Sequence, residues 1–147
     1  MKRKKRSILK KFLIVLLLAL IVCGSFFYVK ISNQVKQVMV WEDEVKKVAQ
    51  QYQMEDYTDI ILGIIFTESK GDHIDLMQSS ESKFGARNQV TSSEESIQFG
   101  VEHLAEVVNE ANAQKCDIWT AVQAYNFGSQ YIYYIKDSAI SRCRSLS

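Results

Sequence analysis

The chain has 147 residues, with 18 Lys plus Arg against 17 Asp plus Glu, three Cys and no Pro. Aromatic residues at 11% and charged residues at 24% supply both a core and a solvated surface, and the lack of proline favours uninterrupted helices. This balance excludes intrinsic disorder, a collagen-like repeat and a disulfide scaffold. The near-neutral total conceals an asymmetry. Lys2, Arg3, Lys4, Lys5, Arg6, Lys10 and Lys11 crowd the start, and no acid precedes Glu42. A basic tip is joined to an acidic body.

Residues 12–29, FLIVLLLALIVCGSFFYV, carry no charge. As a helix they span about 27 Å, close to the roughly 30 Å hydrocarbon core of a bilayer. The preceding basic cluster fits the positive-inside rule and leaves the body outside the cytoplasm. The competing reading is a cleaved signal peptide cut near Cys23, Gly24 and Ser25. Phe26, Phe27, Tyr28 and Val29 continue the apolar run past that point, which favours an anchor. A lipoprotein reading at Cys23 is poor, because Val22 stands where a small residue is needed. Topology accounts for the basic residues, so no nucleic-acid partner is expected.

In the body, Val35, Val38, Trp41, Val45, Val48, Ala49 and Tyr52 recur at helical spacing, predicting one juxtamembrane helix over residues 33–53. A second helix starts at Thr58 or Asp59 and carries Ile60, Ile61, Ile64 and Ile65 to Glu68, with Gly71 as its stop. Residues 72–89 read as loop with one short helical turn. Thr91 and Ser92 each precede a glutamate by three places, a capping-box signal for a third helix with Ile97, Val101, Leu104, Val108 and Ala111 as its stripe. Asp117 caps a fourth helix through Trp119, Val122 and Ala124, and residues 131–135 form a last one. No run alternates as a strand would, so the class is mainly α. Cys116 and Cys143 could pair in an oxidising exterior. The apolar neighbours Ile118 and Trp119 favour a buried free thiol at Cys116. His73 and His103 are isolated, so no metal site is expected.

Glu68 is the residue most suited to chemistry. It shares a helical face with Ile61, Ile64 and Ile65, where lost hydration favours the neutral acid. Its place late in the helix disfavours negative charge as well. A carboxyl kept protonated near neutral pH is what a general acid requires. The ordinary alternative is a helix-end glutamate paired with Lys70. Gln78, Ser79, Ser80, Glu81 and Ser82 form a polar cluster, and Tyr125 with Asn126 ends the fourth helix. Amides, hydroxyls and an aromatic face suit the hydroxyls and acetamido groups of a sugar chain.

Three segments in order, Phe66-Thr67-Glu68-Ser69, Leu76-Met77-Gln78 and Ala124-Tyr125-Asn126-Phe127-Gly128, resemble the signatures of the soluble lytic transglycosylase and goose-type lysozyme superfamily. The run from Met77 to Ser82 and the ending Tyr125 to Gly128 resemble most the Gram-positive muramidase-domain branch found in bifunctional wall hydrolases. The resemblance covers about residues 57–135. It implies a lysozyme-like helical domain behind one N-terminal transmembrane helix, with peptidoglycan glycan strands as partner and no metal or organic cofactor. Glu68 would protonate the glycosidic oxygen between N-acetylmuramic acid and N-acetylglucosamine. Ser69, Gln78 and Ser79 would hold substrate, and Tyr125 and Asn126 would face the reacting sugar across the cleft.

Asp75 departs from the superfamily pattern, standing where the motif has glycine. An inverting hydrolase needs a second carboxylate about 6.5–9.5 Å from the acid, for which Asp72, Asp75 and Glu81 are the candidates. A lytic transglycosylase needs none. The expected organisation is a cytoplasmic tip (1–11), a membrane anchor (12–29), a juxtamembrane helix (30–56) and a lysozyme-like domain (57–147). Relatives usually add helix after the last motif, so the domain is expected to be shortened at its C-terminus. The expected role is a cell-surface muramidase facing the wall from the plasma membrane, or secreted after signal cleavage. The alternatives are a catalytically silent glycan-binding relative and a helical anchor that pairs with a partner through residues 36–52.

Overall fold

The computed structural model describes residues 2–86 and 89–138. Among these there are seven α-helices, one 3-10 turn and no strand, as the helical periodicities predict. The chain divides into two compact units, Met1–Lys36 and Gln37–Ser147.

The first unit lies within α1 (Lys2–Met39). Its stretch Lys11–Met39 is long and apolar enough to cross a membrane, and none of its apolar window is buried. Ser25 donates its hydroxyl to the Ile21 carbonyl at 2.8 Å, a satisfied polar group of the kind an apolar environment demands.

The second unit opens with a departure from the expected continuous helix of residues 33–53. α1 ends at Met39, the Trp41 N–H donates to the Val38 carbonyl at 3.0 Å, and α2 (Glu42–Gln51) starts afresh. Three successive acids, Glu42, Asp43 and Glu44, favour a helix N-terminus over a helix interior. Periodicity alone concealed that signal. Val45, Val48 and Ala49 of α2 are buried against the same core as Ile61 and Ile65 of α3 (Thr58–Glu68).

The end of α3, which carries Glu68, is closed by side-chain hydrogen bonds. The Ser69 hydroxyl donates to the Ile65 carbonyl at 3.1 Å and accepts from the Gly71 N–H at 3.2 Å. Lys70 folds back so that its ammonium donates to the Phe66 and Thr67 carbonyls, both at 2.9 Å. Gly71 is required here: its φ is +75°, and a Cβ would sit 2.8 Å from the Val38 nitrogen.

The short turn expected in the next loop is α4 (Ser80–Phe84). α5 (Ser93–Ala113) forms the centre of the unit, with Ile97, Val101 and Leu104 fully buried. Ser92 is its N-cap, accepting from the Glu95 N–H at 3.1 Å. The Glu95 carboxylate reaches back to the Thr91 N–H at 2.7 Å, one residue before the cap. α6 (Ile118–Phe127) is capped by Asp117, which accepts from the Thr120 N–H at 2.8 Å, and α7 (Gln130–Asp137) packs on it through Ile132. Cys116 is buried and disulfide-bonded, which overturns the expected free thiol. Cys143, its candidate partner from the sequence, lies outside the described residues, as does the polar tail 139–147.

Candidate active site

Three elements that are distant in sequence meet at one cavity of about 200 Å³, lined by Glu68, Met77, Gln78, Glu81, Tyr125 and Asn126. Glu68 arrives at the last turn of α3, and Tyr125 and Asn126 at the last turn of α6. Met77, Gln78 and Glu81 come from the turn before α4 and from α4 itself. A second, largely apolar cavity of about 420 Å³ runs between α3 and α6 past Ile60, Gly63, Ile64, Trp119 and Val122. Glu68 and Asn126 border both cavities. Trp119, on α6, is 58% exposed and borders the second one.

Half-buried Glu68 has its carboxyl raised above the ordinary value of 4.5 by desolvation, with the Lys70 ammonium pulling weakly the other way. Lys70 makes its hydrogen bonds to the α3 carbonyls rather than to Glu68. The carboxyl is therefore biased toward the protonated acid, in a cavity that has room for a reacting group. Tyr125 is 7% exposed and donates its hydroxyl to the Met77 carbonyl at 2.8 Å. Burial, with Glu68 and Asp75 adding to it, pushes this phenol well above its ordinary value, so it stays a neutral donor. Its ring packs on His103 at 5.1 Å between centroids.

The other candidates divide by where their polar atoms are used. Gln78 is exposed at the cavity in a left-handed conformation (φ +52°), an uncommon geometry for a residue with a side chain. Ser69 is occupied in ending α3 and is not among the lining residues. Ser79 is buried, with its hydroxyl 3.1 Å from the Ser96 carbonyl, and also lies off the cavity. Among the candidate second carboxylates, Glu81 lines the cavity with Glu68. Asp72 is exposed in the turn after α3 and lines neither cavity.

Asp75 is buried. One of its oxygens accepts from the Ser79 N–H at 2.8 Å and the Ser96 hydroxyl at 2.7 Å, and the other accepts from the Ser80 N–H at 3.1 Å. Burial alone would raise its carboxyl, but hydrogen bonds from Ser80, Ser96 and Ser79 outweigh that and hold it below its ordinary value. The sequence reading missed Ser96, the hydroxyl at the hub of this arrangement. The available signal was a serine four residues before Gly100, a pair of small side chains on one face of α5. That face receives Met77 closely: a Cβ on Gly100 would lie 2.5 Å from the Met77 sulfur.

Residues 35–147 match the family model described as lysozyme-like. A pneumococcal vaccine antigen A homolog of Streptococcus pyogenes serotype M1 is 40% identical over 121 residues, covering 82% of this chain and 59% of the relative. The bifunctional muramidase/DL-endopeptidase CwlT of Bacillus subtilis is 40% identical over 91 residues, covering 62% of this chain and 27% of that protein. A crystal structure from Staphylococcus aureus, described as similar to a lipoprotein of the NLP/P60 family, superposes with a TM-score of 0.68 at 36% identity. It covers 71% of this chain and 35% of the solved one. The chain thus spans about three fifths of the length of the antigen relatives. A match that takes in every element from the end of α1 to α7, with a glutamate at the end of an apolar helix, places the chain in the lysozyme-like family.

Proposed function

We propose that this protein is a peptidoglycan-cleaving glycosidase that cuts the glycan strand between N-acetylmuramic acid and N-acetylglucosamine. The observation that carries the reading is Glu68, a carboxyl biased toward its acid form in a cavity it shares with Gln78, Tyr125 and Asn126. Glu68 protonates the glycosidic oxygen as the bond breaks. Gln78 and Asn126 supply amide donors and acceptors for the acetamido and hydroxyl groups of the sugars. Tyr125 walls the cavity and fixes the Met77 carbonyl through its hydroxyl. Among the candidate second carboxylates, Glu81 is the one whose position suits activation of water, because it lines this cavity and Asp72 and Asp75 do not. The kinship with a protein named as a muramidase supports the same chemistry. α1 serves as the anchor that holds the domain on the outer face of the plasma membrane.

The test is mass spectrometry of muropeptides released from purified wall by the full chain in detergent, beside Glu68→Gln. Reducing muramic acid ends indicate hydrolysis with a water activator. Anhydro ends indicate transglycosylation, in which the sugar's own hydroxyl attacks. The Glu68→Gln protein should fold and release nothing. A folded chain that retains glycan strands but releases no fragments overturns the enzymatic reading in favour of a glycan-binding protein.

A further inference from the structure

Asp75 is a buried carboxylate, 7% exposed, that the chemistry above does not use. The chain pays for its burial with a dense set of donors: the Ser79 and Ser80 N–H groups and the Ser96 hydroxyl all point at it. Such an arrangement costs desolvation and is retained only where the bonds it makes fix a particular geometry.

The geometry it fixes is that of the turn that lines the active cavity. Ser79 and Ser80 are drawn onto the carboxylate from the C-terminal side of the turn, while Ser96 ties it to α5. Ser96 also accepts from the Met77 N–H at 3.0 Å, so the same hydroxyl grips the turn twice. Met77 is thereby turned inward onto Gly100, and its carbonyl accepts the Tyr125 hydroxyl at 2.8 Å. The next residue, Gln78, is left in its left-handed conformation facing the cavity. A chain of direct contacts thus runs from Asp75 through Ser96 and Met77 to Tyr125, and through the backbone to Gln78. Asp75 itself does not line the cavity.

We propose that Asp75 is a positioning residue of this site: its carboxylate holds the turn that presents Gln78 to the glycan and seats Tyr125 beside Glu68, without touching substrate. The proposal rests on the glycosidase reading above. It also makes Asp75 neither a water activator nor a mere surface acid, although its neighbourhood in sequence to Leu76-Met77-Gln78 invites the first reading.

The experiment compares the full chain in detergent with Asp75→Asn and Ser96→Ala, using muropeptide release from purified wall. Rates are taken per folded chain, well below each variant's melting midpoint. Asparagine keeps the shape but turns one acceptor oxygen into a donor facing another donor. The expected result is a loss of at least about tenfold in kcat for Asp75→Asn with a smaller change in KM, since misplacing a site by a fraction of an ångström weakens the transition state most. Ser96→Ala should give a loss of the same kind but smaller. A merely structural role would lower the melting midpoint and leave kcat per folded chain unchanged, and that result overturns the proposal. If Asp75→Asn does not fold, Ser96→Ala decides by the same two readouts. If the unsubstituted chain releases no fragments, the glycosidase reading falls and takes this one with it. Fragments from the unsubstituted chain with undiminished kcat in both variants remove the positioning role alone.

Discussion

The same substitution at two glycines should stabilise the fold at one and fail to do so at the other. Gly63 lies inside α3 and Gly100 inside α5, and each costs its helix about 0.5–1 kcal/mol relative to alanine. A Cβ built on Gly63 meets nothing within 4 Å, so Gly63→Ala should recover that amount and stabilise the fold. A Cβ on Gly100 meets the Met77 sulfur at 2.5 Å and the Met77 Cβ at 2.6 Å. The sulfur can swing aside, but the Met77 Cβ moves only with its backbone, which the Ser96 and Tyr125 hydroxyls hold. Overpacking of this kind costs about 1–3 kcal/mol, so after the helix gain Gly100→Ala should range from neutral to about 2.5 kcal/mol destabilising. The two variants should differ by roughly 4–8 °C in melting midpoint for each kcal/mol between them. Trp41 and Trp119 are the two tryptophans of the chain and both lie in the second unit, so thermal unfolding followed by their fluorescence reports on that unit. Combining Gly100→Ala with Met77→Gly should show a large coupling, since the second change removes the Cβ that obstructs the first. Equal stabilisation by both alanines would refute the reasoning, because Met77 could not then be seated on Gly100.

Removing the Tyr125 hydroxyl leaves the Met77 carbonyl without that donor in a buried setting, so Tyr125→Phe should destabilise by about 1–2 kcal/mol in urea denaturation and reduce wall cleavage. Lys70→Met removes the cation that draws the Glu68 carboxyl downward. The alkaline limb of the pH–rate profile, where the proposed general acid loses its proton, should therefore move to higher pH. A limb that stays in place would mean that a group other than Glu68 sets it. Glu68→Gln should also stabilise the fold at neutral pH. Because the folded value of Glu68 lies above the ordinary 4.5, the native state binds the proton more tightly than the unfolded one. Stability is thus full below 4.5, falls as pH rises toward the folded value and stays reduced beyond it. Urea midpoints of the two proteins, measured across that range, check the sign.

The difference between what the sequence discloses and what it withholds at this site follows from the range of the interactions involved. Glu68 is legible because the signal for it is local: the isoleucines whose apolar face it shares belong to its own helix, at spacings that periodicity reveals. The caps of α5 and α6 are legible for the same reason, each being a side chain bound to an N–H three residues on. The break between α1 and α2 was written in three adjacent acids and was lost only because the apolar spacing continues across it. Asp75 and Ser96 differ in kind. They are 21 residues apart, and nothing in the neighbourhood of either announces the other. From the sequence, an aspartate before a polar loop reads as solvated or reactive, and a serine on an apolar stripe reads as an imperfection. Only their juxtaposition turns two ordinary residues into the support on which Met77, Gln78 and Tyr125 depend. The proposed acid is legible, and the groups that hold its surroundings in place are not, because a desolvated side chain needs only a local environment whereas a supporting one needs a partner that only the fold can bring.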